Sequence, residues 1–427
     1  MNIFKISWKN LLFRPMNLTL SLLLFALGIG LASLLLQMDK QFGEKFESNL
    51  AGIDLVIGAK GSPLQLILCN LFHVDLPTGN VTLEEARPFL NPRHPLISQA
   101  IPLSLGDTYR KYRIVGTLHG YVDLFGATLA EGQLWREPME VTLGAEVASD
   151  LGLAVGDRFH SSHGFVLDEN LVHGDSDAFR VTGILAPSST VLDQLILTST
   201  QSVWAVHAHG EEFTSEIQDS SALAVGQALP PDVDPMLRKL ITSPGEEEIT
   251  SLLITFRNRN FQTLNLLRTI NEQTGMMAAS PPYQINRLYS MMGVGAEGLR
   301  ALAYLIICVS AVSIFISLYS SLKDRKYELA LMRVMGASKS YLLIMIIVEG
   351  VFIALLGCLA GLILGHGGME LLSGFLQDAY QYRFTGLLFL PQEWILVVGS
   401  ILIGLLASLI PSLQASHTDI SRTLAEG

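Results

Sequence analysis

The sequence predicts an α-helical membrane protein with four transmembrane helices and one large extracytoplasmic α/β domain between the first helix and the second. Three observations carry that prediction. Four long apolar runs are spread unevenly, one near the N-terminus and three in the last third of the chain. Roughly 260 largely polar residues, with the turn signals of mixed secondary structure, separate the first run from the second. Lys and Arg crowd the short segments that would share one side of this topology, as the positive-inside rule requires of cytoplasmic loops.

The first run, Leu18 to Leu36, holds no charged residue. At about 1.5 Å per residue it reaches about 28 Å, enough to cross the hydrocarbon core. Lys5, Lys9 and Arg14 precede it as they would precede a secretory signal. The run is too long for one, and no small-residue cleavage site follows before Gln37, Met38 and Asp39, so an uncleaved anchor is expected. The second run goes from Ala301 to Leu322, the third from Tyr341 to Leu364 and the fourth from Ile395 to Ile410, just before Pro411. Trp394 can anchor the short fourth run at the interface. All four are apolar all round, whereas core helices of a soluble domain would show a polar face.

Lys323, Arg325, Lys326, Arg333 and Lys339 lie between the second and third runs, while the loop before the fourth holds Arg383 beside Glu370 and Asp378. Both termini and the middle loop are therefore expected in the cytoplasm, in a protein of the cell inner membrane, with the large domain outside. The expected division is a cytoplasmic N-terminus with the first helix (1–37), the extracytoplasmic domain with its stalk helices (38–298), and three further helices with a short cytoplasmic helix (299–427, the short helix at 323–338).

Within the outer domain, Asp54 to Ile57, Tyr112 to Thr117, Val141 to Leu143, Phe179 to Leu185 and Leu252 to Phe256 read as strands, being β-branched or apolar and bounded by turn residues. Leu83 to Phe89, Ala145 to Leu151 and Asn258 to Thr274 read as helices, each followed by a stop signal. Asp39 to Asn49 and Gln284 to Gly298 read as polar continuations of the neighbouring membrane helices. Leu229 to Pro235 is a turn or hinge.

The net charge is −11, and the acid excess falls almost entirely in the outer domain. That argues against a nucleic-acid partner and against binding an anionic surface through bulk charge. Cys308 and Cys358 lie in spans, which leaves Cys69 without an intrachain partner outside. His160 with His163, and His207 with His209, have chelating spacing, and Asp168, Asp175 and Asp177 could add oxygens. With no Cys beside them, solvated loop histidines are the expectation and no metal is assigned. The absence of an HExxH pattern argues against a metalloprotease. No GxxxxGK[ST] phosphate loop is present, and Gly58-Ala-Lys60-Gly61-Ser62 has the wrong spacing.

Four features stand out. Residues 323–338 place Tyr327, Leu331, Val334 and Met335 at helical spacing, with Gly336 as a stop and Ser338 as the cap of the next helix. Gly357, Gly361 and Gly365 recur every fourth residue and are expected to let another helix approach closely. Glu349 is the ionisable residue well inside a span, and its role stays open between function and simple hydrogen bonding. The run after Gly61, through Leu64 to Phe72, is either core, a lateral gate or a surface for a lipid-like substrate.

Arg325-Lys-Tyr-Glu328-Leu-Ala-Leu-Met-Arg333-Val-Met-Gly336-Ala337-Ser338 resembles the signature of the FtsX-like permease family of ABC transporters, which includes the MacB and LolC/LolE types. Trp8-Lys-Asn-Leu-Leu-Phe-Arg14, Glu349-Gly350 with the three glycines, and Pro411-Ser-Leu-Gln-Ala415 with Asp419 and Leu424 are similar to its other motifs. The basic residues usual in that last motif are here reduced to Arg422. Val141 to Asp157 and Phe179 to Leu185 resemble segments of the MacB-like periplasmic core. The resemblance implies a permease that is not itself an enzyme. In the family, the cytoplasmic helix docks on a separate ABC ATPase that binds ATP and Mg, a role that would fall here to Arg325, Glu328, Leu331, Met332, Arg333, Met335 and Gly336. No cofactor is implied in this chain.

The implied partners are that ATPase, a second permease copy or paralogue, membrane lipids, and a periplasmic adaptor or lipoprotein. The implied function is mechanotransmission that extracts or exports a lipid, lipoprotein or peptide. Two rival readings are a signalling subunit that activates a cell-wall hydrolase and a metal-binding receptor or sensor.

Overall fold

The computed structural model describes residues 3–12, 15–163, 178–207, 233–380 and 384–416. It divides the chain into two compact units, Met1–Gly43 with Ser290–Gly427, and Glu44–Tyr289. The second unit lies within the 38–298 stretch read from the sequence. The chain opens with α1 (Ile3–Leu12) and α2 (Pro15–Leu50), the latter combining the first apolar run with its polar continuation.

The α/β unit then runs through β1 (Leu55–Ala59), α3 (Pro63–Leu71), β2 (Val81–Thr82), α4 (Leu83–Leu90), β3 (Ile97–Tyr109), β4 (Tyr112–Thr117), α5 (Gly120–Leu124), β5 (Leu129–Gly132) and β6 (Glu140–Leu143). It continues through α6 (Ala145–Leu151), β7 (Arg158–Phe159), β8 (Ser162–His163), β9 (Phe179–Leu185), β10 (Leu195–Ser199) and α7 (Thr200–His207). It ends with α8 (Pro235–Ile241), β11 (Glu248–Ile249), β12 (Ser251–Phe256), α9 (Phe261–Gln273) and β13 (Met276–Ala279).

Among the described residues the principal sheet has the order β13-β1-β12-β3-β4-β10-β6-β9-β5, with β7 and β8 appended to β9 and β3. The long strand β3 is its seam: the first half pairs antiparallel with β12 and the second half with β4. β10 is parallel to β4 and β6 is parallel to β9. One apolar cluster gathers Leu55, Leu83, Phe89, Leu252, Ile254 and Ile270, and a second gathers Tyr112, Ile114, Val141, Phe179, Val181 and Ile196. The short strands β2 and β11 pair beside the main sheet.

All five sequence-predicted strands lie within β1, β4, β6, β9 and β12 to within one or two residues, and the three helices are α4, α6 and α9. α3 turns Leu66, Ile67, Cys69 and Leu71 inward, which settles that amphipathic run as core. Gly116 shows how α7 comes so close to the sheet: a Cβ there would lie 2.7 Å from Val203 Cγ2 and 3.0 Å from Thr200 Cα.

The remaining helices are α10 (Pro281–Asp324), α11 (Lys326–Val334), α12 (Lys339–Tyr380) and α13 (Glu393–Ser416). Four described stretches are long and apolar enough to cross a membrane: Leu18–Leu50, Pro281–Asp324, Lys339–Phe375 and Glu393–Ser416. α13 continues past the expected stop, with Pro411 inside it. Phe25, Ile29, Ile314, Leu318, Ile353 and Ala354 form the apolar centre of this helical unit.

Beneath α3 in the α/β unit, the Arg113 guanidinium donates to Cys69 Sγ at 3.4 Å and to the Asp75 carbonyl. His73 Nε2 lies 2.9 Å from Tyr121 Oη, and His73 Nδ1 is shut away from water. Burial, and then the Arg113 charge, push the His73 pKa down from 6.5 to about 3. A histidine held neutral in the fold is protonated first in the unfolded chain, so the unfolded state gains as pH falls below 6.5. Between pH 6.5 and 5 the unit should lose about 2 kcal/mol through this group. Denaturation of the full chain at those two pH values checks it, because His73→Gln should flatten the pH dependence by that amount.

Candidate coupling surface

The connector between α10 and α12 folds as α11, and its two sides differ sharply. Tyr327, Leu331, Val334 and Met335 are 51%, 44%, 61% and 69% exposed, while Leu329 and Ala330 are buried. The apolar residues at helical spacing thus form one outward face. Met332 is rotated off that face and packs with Leu322, Leu329, Leu342 and Met345. Gly336 ends the segment at a φ of 100°, where a side chain would be strained. Ser338 Oγ then accepts from Tyr341 N at 3.1 Å and starts α12. Arg333 Nη1 donates to the Ala337 carbonyl at 3.2 Å, across the turn that Gly336 makes.

Arg325 has a different setting from the residues it precedes. Its guanidinium is largely buried, 3.5 Å from the exposed Glu328 carboxylate and 3.4 Å from Glu349 Oε1 inside α12. Asn10 Nδ2 of α1 donates to the same Glu349 oxygen at 2.8 Å, and Ser7 Oγ of α1 donates to the Met345 carbonyl at 3.2 Å. Phe4 and Trp8 meet Phe352 edge-on, with centroids 6.0 and 6.3 Å away. Glu349 therefore joins three helices: α1 through Asn10, the base of α11 through Arg325, and its own helix α12.

The three glycines bring α12 against α2. A Cβ at Gly357 would meet the Phe25 ring at 2.8 Å, one at Gly361 would lie 2.7 Å from Ile29 Cβ, and one at Gly365 would lie 2.9 Å from the Gly30 carbonyl. Gly350 and Gly404 do the same between α12 and α13, a Cβ at Gly350 meeting the Gly404 carbonyl at 2.8 Å. Backbones pack this closely only where side chains are absent.

A second polar cluster escaped the sequence reading. Glu393, fully buried at the start of α13, accepts from Ser33 Oγ at 2.6 Å and from Leu390 N at 3.1 Å. His366 Nε2 of α12 lies 3.1 Å from its carboxylate, and Gln37 Nε2 donates to it at 3.4 Å. The only signal in the sequence was a carboxylate one residue before Trp394, which reads equally well as an exposed interfacial residue.

Of the histidines with chelating spacing, His160 is exposed, the side chains of His163 and His207 lie outside the described residues, and so does all of His209. Among the described residues no three His, Cys, Asp or Glu side chains converge as metal ligands.

These features define an integral membrane protein with an added α/β unit and a short apolar-faced helix fixed between two spans. Residues 300–420 match the family model of the FtsX-like permease C-terminal domain. A stretch of 70 residues is 31% identical to the ABC transporter permease YtrF of Bacillus subtilis (strain 168), covering 16% of this chain and 16% of that protein. The likeness to FtsX-like permeases thus covers the C-terminal membrane region, and the stretch shared with YtrF spans about a sixth of that protein's length.

The buried Arg325 and Glu349 should behave as a unit. Arg325→Gln leaves the Glu349 charge without its cation, whereas Arg325→Gln with Glu349→Gln removes both charges. Thermal denaturation in detergent should show the double substitution costing less than the sum of the two singles, with a coupling of about 1–3 kcal/mol. Additive losses would mean that the two groups do not interact.

Proposed function

We propose that this chain is the permease subunit of an ABC transporter complex, and that α11 is the surface on which a separate ATPase subunit acts. The carrying observation is the outward apolar face of Tyr327, Leu331, Val334 and Met335 on a helix whose base is tied into a span by Arg325 and Glu349. Apolar side chains this exposed on an otherwise charged helix gain by being covered. A helix fixed at its base passes a push on to the spans instead of bending away from it.

In this reading ATP and Mg are bound by the partner ATPase. The four spans lie in the inner membrane, with both termini and α11 cytoplasmic and the 38–298 domain outside. The spans offer little polar pathway, so the work is mechanical, and α2 and α10 each combine a span with its polar continuation. The Arg300 to Asp39 ion pair links these two helices within the membrane unit. The substrate class is a lipid, lipoprotein or peptide that is extracted or exported. Four spans make a thin bundle, which suits action as a pair with a second copy or a paralogue. Glu328 and Arg333 border the docking face as rim charges, while Met332 and Gly336 shape the helix from within and at its end.

Replacing Leu331 and Met335 with Asp puts charge into the covered contact and should cost on the order of 2 kcal/mol per site. Arg333→Glu should cost less, because a rim charge stays partly solvated. The readouts are recovery of the ATPase with detergent-solubilised protein and ATPase stimulation in proteoliposomes. Wild-type levels of both for the double Asp variant, in correctly inserted protein, would remove α11 as the docking surface.

A further inference from the structure

A hollow of about 600 Å³ lies in the α/β unit, between the loop that leads into β2, the middle of β3, the start of α7 and the segment entering β11. That volume is in the range of small-ligand pockets. Its floor is buried: Ser104, Leu105, Val203 and Thr250 are each at most 7% exposed. The Thr250 hydroxyl is occupied, accepting from Leu105 N at 2.9 Å and donating to Asn80 Oδ1 at 3.3 Å. The Ser104 hydroxyl is not: the residue is 3% exposed, and the oxygen has no hydrogen-bond partner among the described residues. A buried hydroxyl left this way costs free energy that a ligand recovers by bonding to it.

The rim carries Glu246, Glu247 and Glu248, and among the described residues no Lys or Arg lines the hollow. Glu248 accepts from Asn80 Nδ2 at 2.9 Å, and its carbonyl accepts from Trp204 Nε1 at 2.7 Å, which holds the indole at the edge. Partial burial pushes the Glu247 carboxyl above its ordinary range. An unpartnered hydroxyl at the floor, an aromatic wall and three carboxylates that form no ion pair among the described residues make a site with a definite charge preference.

We propose that this hollow binds a cationic side chain of a peptide, an ammonium or guanidinium group on a flexible apolar stem. The head donates to Ser104 Oγ, the carboxylates neutralise its charge, and the stem lies along Trp204 and Val203. A hollow of this size takes a side chain with its flanking backbone and is too small for a two-chain lipid. As a statement about cargo this rests on the transport reading above. Binding is measured without the ATPase, so its failure leaves the α11 surface standing, and failure of α11 leaves this site standing.

The test is titration of the full-length protein in detergent with N-acetylated, C-amidated tetralysine, followed by calorimetry and by Trp204 fluorescence. Wild type should bind saturably. Glu246→Gln with Glu247→Gln and Glu248→Gln should weaken binding at least tenfold. Ser104→Ala, which changes neither charge nor backbone, should weaken it at least threefold. The same peptide with every lysine acetylated should not bind. Unchanged affinity in both variants, equal binding of the acetylated peptide, or displacement of the peptide by phosphatidylethanolamine nanodiscs as effectively as by free tetralysine would each overturn the proposal.

Discussion

A carboxylate inside an apolar span is costly unless something nearby compensates it, and the lower half of this helical unit is organised around how Glu349 is compensated. Asn10 and Arg325 both reach its Oε1. Because those partners come from different helices, one requirement of charge and hydrogen bonding positions both α1 and the start of α11. The apolar cluster of Leu322, Leu329, Leu342, Met345 and Ala415 packs the same junction. α11 is thereby held on one side by polar contacts and apolar packing, while its other side stays uncovered.

Further along α12 the constraint changes from charge to distance. Gly357, Gly361 and Gly365 admit α2, and Gly350 with Gly404 admits α13, so α12 is the central element of the unit. Beyond these glycines the Glu393 carboxylate gathers Ser33, Gln37 and His366. α12 thus meets one buried carboxylate network at Glu349 and another through His366, with close backbone packing between. The polar groups of both networks are consumed in holding helices together.

Much of this was legible in the sequence, for reasons that differ by element. The spans stood out because nothing but length and apolarity defines them. Strands β4, β6, β9 and β12 were readable as β-branched runs bounded by turn residues. β3, the seam of the sheet, was not, because Pro102 and Gly106 interrupt its pattern, and only its partners reveal that β12 and β4 divide it. The outward face of α11 followed from helical spacing. The inward turn of Met332 follows from the same geometry, since a neighbour of Leu331 is rotated by about 100°. The sequence showed Arg325 as one cation among several, and its bond to Glu349, like the Glu393 cluster, exists only through contacts between residues far apart in the chain.

The central claim is that the exposed face of α11 is covered by an ABC ATPase while its buried face stays in the bundle. Photocrosslinking tests this most directly, with benzoylphenylalanine placed at Leu331 or Val334 in cells that also express the proposed ATPase partner. An ATPase adduct from both positions, and none from the still more exposed Leu264 of α9, is the predicted result. Assembly of the permease with the ATPase without an adduct from either α11 position would contradict the account.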